Sequence, residues 1–197
     1  MSNTYWPIYK DLEKELIEIS RIIRGCDEQL NVYSDKILEL LIRCAIEIES
    51  ISKELFFLNG GAKPQDRDLY FDTDCINLLE DKWKLSKKKL IISCSNFYLV
   101  KDENRTIVPL KKANKRGTSG SGWKKAYQAV KHDRKNNMKM ANIKHLIGAL
   151  GALYILNLYY KDETFNINNT NDDRFQYSLS DIFSFSIHSF NTTESII

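Results

Sequence analysis

HLIGALGALYILNLYY, residues 145–160, is apolar on nearly every side of a helix. A helix of that kind has no face for solvent and must be wrapped by other elements. The run is shorter than the roughly 20 residues that a membrane span requires, and Asn157 interrupts it. It predicts a buried central helix from about Met140 to Tyr160, and so a mainly α domain assembled around it. Gly148, Ala149, Gly151 and Ala152 would let a neighbouring helix approach closely.

Working outward, residues 8–24 place Leu12, Leu16, Ile19 and Ile23 three or four apart, an amphipathic helix that Gly25 would stop. A longer helix is predicted over 30–58, with Ile37, Leu41, Ala45, Ile48, Ile51 and Leu55 as its apolar stripe. Asn59-Gly60-Gly61 ends it. A short helix follows over 72–85, capped by Asp72, Thr73 or Asp74. Residues 89–100 and TIVPL (106–110) read as two short strands in a hairpin-like connection, with Pro109 on an edge. KKANKRGTSGSG (111–122) is a basic, flexible loop, and Trp123 opens a helix to about Asn137. After residue 160 the composition turns to Asn, Asp, Ser and Thr, and IFSFSIHSF (182–190) alternates as a strand does. The expected organisation is a helical-bundle domain over 1–160 and a polar linker with a strand-like extension over 161–197. A simple α+β fold is the alternative.

The chain has 197 residues, of which 43% are hydrophobic and 28% charged, so a packed core rather than disorder is expected. Met1–Lys10 shows no basic region followed by an apolar run, so no secretory leader is expected. Cys26, Cys44, Cys75 and Cys94 are scattered singly, as are the three histidines. Zinc-ligand spacing is absent, and reduced thiols in a cytoplasmic protein are expected, with no metal and no cofactor. The acids Asp72, Asp74, Glu80 and Asp81 cluster, but capping and solvation explain them. GTSGSG lacks the GxxxxGK[ST] pattern of a phosphate loop, and no GxSxG is present.

Charge is unevenly spread. Over 111–144 there are 11 basic residues against Asp133 alone, a local charge of +10, whereas the remainder carries −7. The segment holds Lys111, Lys112, Lys115, Arg116, Lys124, Lys125, Lys131, Arg134, Lys135, Lys139 and Lys144. A basic segment in an otherwise acidic protein makes RNA, or another polyanion, the first partner to consider. Within it stands YQAVKHDRKNN (127–137). His132 suits proton transfer near neutral pH, and Arg134 and Lys131 suit phosphate. On a regular helix His132 and Arg134 lie about 200° apart, so a joint role needs a helix break near Asp133 or a second subunit. A histidine of this kind could deprotonate an RNA 2′-hydroxyl or protonate the leaving oxygen, with cations stabilising the phosphate. Trp123, Tyr127, Tyr154, Tyr159 and Tyr160 could stack on bases, but their helical spacing beside aliphatics favours core.

The long early helix with polar Arg43 and Glu47, the later VKHDR (130–134), and the final ALGALYIL (149–156) together resemble the HEPN superfamily over roughly residues 8–160. The resemblance implies an α-helical bundle, commonly dimeric and common in toxin–antitoxin and phage-defence systems. It also implies a metal-independent ribonuclease or an RNA- or nucleotide-binding relative. Catalytic members carry an arginine, four to six residues, then a histidine, paired across a dimer cleft. Here the order is inverted and compact, His132-Asp133-Arg134, and the arginine's counterpart is unassigned.

The leading expectation is a metal-independent endoribonuclease with His132 as acid/base, Lys131 and Arg134 on the phosphate, and Arg43, Glu47 and Tyr127 as supporting residues. Lys111, Lys112, Lys115, Arg116, Lys124, Lys125, Lys135 and Lys139 would bind the nucleic acid. A non-catalytic RNA- or nucleotide-binding module is the first alternative. The second is a helical oligomerisation or interaction subunit of a defence complex, with a partner such as an antitoxin. Membrane association is not expected, and a homodimer is.

Overall fold

The apolar run forms the axis of the molecule. In the computed structural model, which describes residues 3–116, 120, 122–160 and 180–185, it lies in helix α7 (Ile143–Tyr159). Fourteen of its 17 residues are buried, so neighbours surround it on every side. Burying each Leu or Ile contributes roughly 1.5–3 kcal/mol, so this helix contributes substantially to stability. Asn157, its one polar interruption, is satisfied internally: its amide donates to the Leu153 carbonyl (3.0 Å) and its oxygen accepts from Asn3 (3.3 Å). Asn142 caps the helix by accepting from the His145 amide (3.0 Å).

Helix α1 (Tyr5–Ile22) and helix α2 (Asp35–Leu58) pack against α7. Gly25 is not the stop of α1 that the sequence suggests, since the helix ends at Ile22. It belongs to strand β1 (Gly25–Cys26), which runs parallel to β3 (Phe97–Tyr98). A Cβ at Gly25 would lie 2.4 Å from the Phe97 ring, so only glycine allows this approach. Helix α2 begins at Asp35 rather than near Leu30 because Ser34 caps it, accepting from Ile37 (3.2 Å). The predicted helix over 72–85 is instead a π-helical turn (Phe71–Ile76) followed by α3 (Asn77–Trp83). The turn starts after Tyr70, whose side chain does not cap it; Asp74 accepts from the Tyr70 amide (2.9 Å) and binds Arg67, and Asp72 accepts from the Thr73 amide (2.8 Å) and binds Lys124.

The hairpin is half as expected. Strand β2 (Leu90–Ile92) pairs antiparallel with β4 (Thr106–Ile107), but Phe97–Tyr98 leaves for β1, and a short helix α4 (Asp102–Arg105) precedes β4. Pro109 follows β4, an edge strand. On the other side of β2 lies β5 (Phe183–Phe185), antiparallel, with Ile92 opposite Phe183. The predicted strand over 182–190 is therefore present over 183–185; residues 186–190 and the predicted linker at 161–179 lie outside the described residues.

The strand β5 is tied to α1 by a buried acid. Glu13, 0% exposed, accepts from the Tyr9 hydroxyl (2.7 Å), the Ser180 hydroxyl, and the Asp181 (2.9 Å) and Ile182 (3.3 Å) amides. Lys10 is ion-paired with it.

Helix α5 (Gly122–His132) packs Trp123 against Gly148 of α7, as the small residues there allow. Gly151 instead faces the sheet: a Cβ there would meet Pro109, Ile107 and Leu90 at 3.0–3.1 Å. The mainly α fold with a small β element is as predicted. The four cysteines are free thiols; burial pushes those of Cys44 and Cys75 up to about 12. Among the described residues no helix is long and apolar enough to cross a membrane.

Candidate nucleic-acid interface

Helix α5 is amphipathic in the ordinary way, with Trp123, Ala126, Tyr127 and Val130 buried. The Trp123 indole N–H donates to the Pro109 carbonyl (2.8 Å), which ties α5 to the end of the edge strand. Lys125, Lys131 and His132 stand on its exposed side.

The helix predicted to continue to Asn137 ends at His132. Asp133 leaves helical geometry (φ −150°, ψ 76°) and starts α6 (Arg134–Asn137). Its carboxylate accepts from the Asn136 amide (3.3 Å) and the Asn136 side chain (2.8 Å). An aspartate offers the backbone this local alternative to a helix, so the break is written in its own chemistry. The offset of a regular helix does not hold across it. His132 and Arg134 are both exposed, and neither makes a hydrogen bond or ion pair among the described residues. His132 therefore has no orienting carboxyl of the kind that fixes a tautomer in a preformed acid/base site.

Lys131 lies over the Tyr127 ring, 5.4 Å from its centroid. Burial, then Glu49, raises the Tyr127 phenol. Arg43 and Glu47 face elsewhere. Arg43 donates to Glu15 of α1 (2.6 Å), and Glu47, raised by burial, interacts with Arg43 and with Tyr5 of α1. The acid of α2 that meets the basic segment is Glu49, which sequence reasoning missed. Burial raises its carboxyl, while Lys131, Lys53 and Lys124 oppose that shift. Two residues apart on a helix is about 200°, which is why Glu47 and Glu49 serve different neighbours.

Lys124 is a correction. It was predicted to reach nucleic acid, but it is 0% exposed. Its ammonium donates to Asp72 (2.6 Å) and to the Ala113 (3.3 Å) and Lys115 carbonyls, which uses all three protons. Burial lowers its pKa, and Asp72 works against that shift. Lys124 thus holds the 111–116 stretch to the body from inside, assisted by buried Leu110 and Ala113.

The other cations of the segment are exposed: Lys111, Lys112, Lys115, Arg116, Lys125, Lys131, Arg134, Lys135, Lys139 and Lys144. Among the described residues none of them forms an ion pair with a carboxylate; elsewhere Lys10, Lys36, Arg43 and Arg67 do. Lys144 donates to Asn104 (3.1 Å).

The aromatic candidates Trp123, Tyr127, Tyr154, Tyr159 and Tyr160 are all core. The exposed ring beside the basic segment is Tyr70, with the Arg116 guanidinium 4.4 Å and that of Arg67 5.3 Å from its centroid. No periodic signal in the sequence marked it. His145 is half-buried, its Nδ1 bonded to the Met140 carbonyl (2.7 Å), and burial lowers its pKa. His188 lies outside the described residues. Among the described residues no three His, Cys, Asp or Glu side chains converge as metal ligands would.

No family model, curated protein or solved structure matches the chain.

Proposed function

We propose that the protein binds RNA through the exposed cations of residues 111–144. The supporting observation is that ten cations, held on one anchored segment and its following helices, have no carboxylate partner among the described residues. Cations left unpaired on a surface are available to replace the counterions of a phosphate chain, and releasing those counterions drives binding. The 111–116 stretch is pinned by Lys124, so part of the ordering cost is met before RNA arrives.

The expected result is RNA affinity that falls steeply with salt. Neutralising Lys111, Lys112, Lys115 and Arg116 together should reduce the slope of log K against log salt by about 3, at roughly 0.7 per phosphate contact on single strands. An unchanged slope would remove that stretch from the interface.

The break at Asp133 favours a second reading, the metal-independent ribonuclease that the HEPN resemblance implies. It takes Arg134 off the helix that carries His132, which a regular helix would hold on another face. In that reading two His132–Arg134 segments meet across a dimer, His132 moves protons, and Lys131 and Arg134 stabilise the phosphate. It requires RNA cleavage in EDTA that leaves 2′,3′-cyclic phosphate ends and is lost in His132→Ala. Binding without cleavage leaves the binding module standing alone. A cytoplasmic location and a defence-complex or antitoxin partner belong to this same proposal.

A further inference from the structure

A groove of about 420 Å³ opens where the end of α2, the following loop and α3 meet. Phe56, Pro64 and Leu78 form apolar walls, and Arg67, Asn77 and Asp81 supply polar edges. The volume falls within the usual range of small-molecule sites. The basic segment touches this groove at Asn77 and comes up beside it at Arg67. Asn114 donates to Asn77 (3.1 Å), and Arg116 lies over Tyr70, whose ring also carries the Arg67 guanidinium.

The groups around the groove differ in what they have left to offer. Arg67 is committed: its fork binds both oxygens of Asp74 (2.7 and 2.8 Å) and it donates to the Asp68 carbonyl (2.9 Å). That pair neutralises Asp74 and fixes Arg67 as a flat wall. Arg116 makes no hydrogen bond among the described residues, so the donors of its guanidinium are open while the Tyr70 ring holds its plane. The Asp81 carboxylate is exposed and likewise makes no hydrogen bond among the described residues. Apolar walls, an unpaired Asp81 carboxylate among them and the Arg116 guanidinium beside the groove, on the Tyr70 ring it shares with Arg67, match a base, an amine on its edge and its phosphate.

We propose that this groove is a nucleotide subsite for single-stranded RNA, taking one base between Phe56, Pro64 and Leu78, its phosphate on Arg116, and an exocyclic amine of the base on Asp81. The assignment rests on the RNA-binding reading above. A carboxylate accepts from an amine and repels a carbonyl oxygen, so cytosine is taken and uracil, of the same shape with a carbonyl in that place, is refused.

The test compares oligo(rC) and oligo(rU), each about 10 nucleotides long, by fluorescence anisotropy. Oligo(rC) should bind at least about fivefold tighter, the lower end for one base-edge contact. Asp81→Ala, a surface change on α3 whose folding is checked by circular dichroism, should abolish that preference. Free 5′-CMP should compete with oligo(rC) better than 5′-UMP does. Lys135→Ala with Lys139→Ala should weaken both oligomers and leave the preference intact. Equal binding of the two oligomers, or a preference that survives Asp81→Ala, overturns the subsite while the RNA-binding reading stands. Failure of both oligomers to bind at low salt overturns the two together.

Discussion

Replacing Lys124 with alanine leaves Asp72 in a buried position without its cation, and breaking such a pair is expected to cost about 3–5 kcal/mol. Urea denaturation measures it. The same change unties the Ala113 and Lys115 carbonyls, so RNA affinity should fall although Lys124 itself reaches no solvent. Asp74 shows the opposite case, a pair with an exposed arginine and a readable titration. The hydrogen bonds from Arg67 lower its carboxyl from 3.8 to about 2. A carboxyl lowered in the folded state contributes stability above 3.8, and that contribution is lost as pH falls towards about 2. Carbon-13 NMR should give the low midpoint for Asp74, and Arg67→Ala should raise it. Neither role was legible in the sequence. Lys124 stands at the border of an apolar helix face, and what decides its fate is a carboxylate 52 residues away.

At the scale of elements, periodicity carried the helices well and their ends poorly. The stripe of α2 fell where predicted, but its start moved to the Ser34 cap. The turn at 71–76 escaped because Asp72 and Asp74 each join a distant or flanking cation, Lys124 and Arg67, to a backbone amide beside them, a combination no spacing reveals. Strand pairing was the least legible part: β1 and β5 find partners far along the chain, and no local pattern encodes that choice. The strand β5 offers a direct measurement. Phe183 is 0% exposed and stacks on Tyr154 at 5.9 Å, so Phe183→Ala should cost about 3–5 kcal/mol by thermal or urea denaturation. A cost below about 1 kcal/mol, the level of ordinary surface changes, would mean that β5 does not close the core.

Over the whole molecule, burial and charge are separated. The apolar axis α7 is wrapped by α1, α2, α5 and the sheet, and ten exposed cations lie on the later 111–144 segment. Hydrogen exchange should show this directly: the amides of α7 should exchange only through global unfolding, while those of α6 exchange through local opening. The buried axis and the basic segment were both legible in composition and period alone. The groove beside α3 was not, since its walls come from separate stretches between residues 56 and 81 and Arg116 lies beside it only through Tyr70. The Glu13 knot adds a consequence in time. Its acceptors near the start of the chain are met by donors at 180–182, a separation of 167–169 residues. During synthesis, at about 5–20 residues per second, α1 must wait on the order of ten seconds with that acid held only by Tyr9 and Lys10 of its own helix. A nascent chain stalled before residue 180 should therefore hold its first helix open to proteases and chaperones, and emergence of residues 180–182 should be the event that seals it.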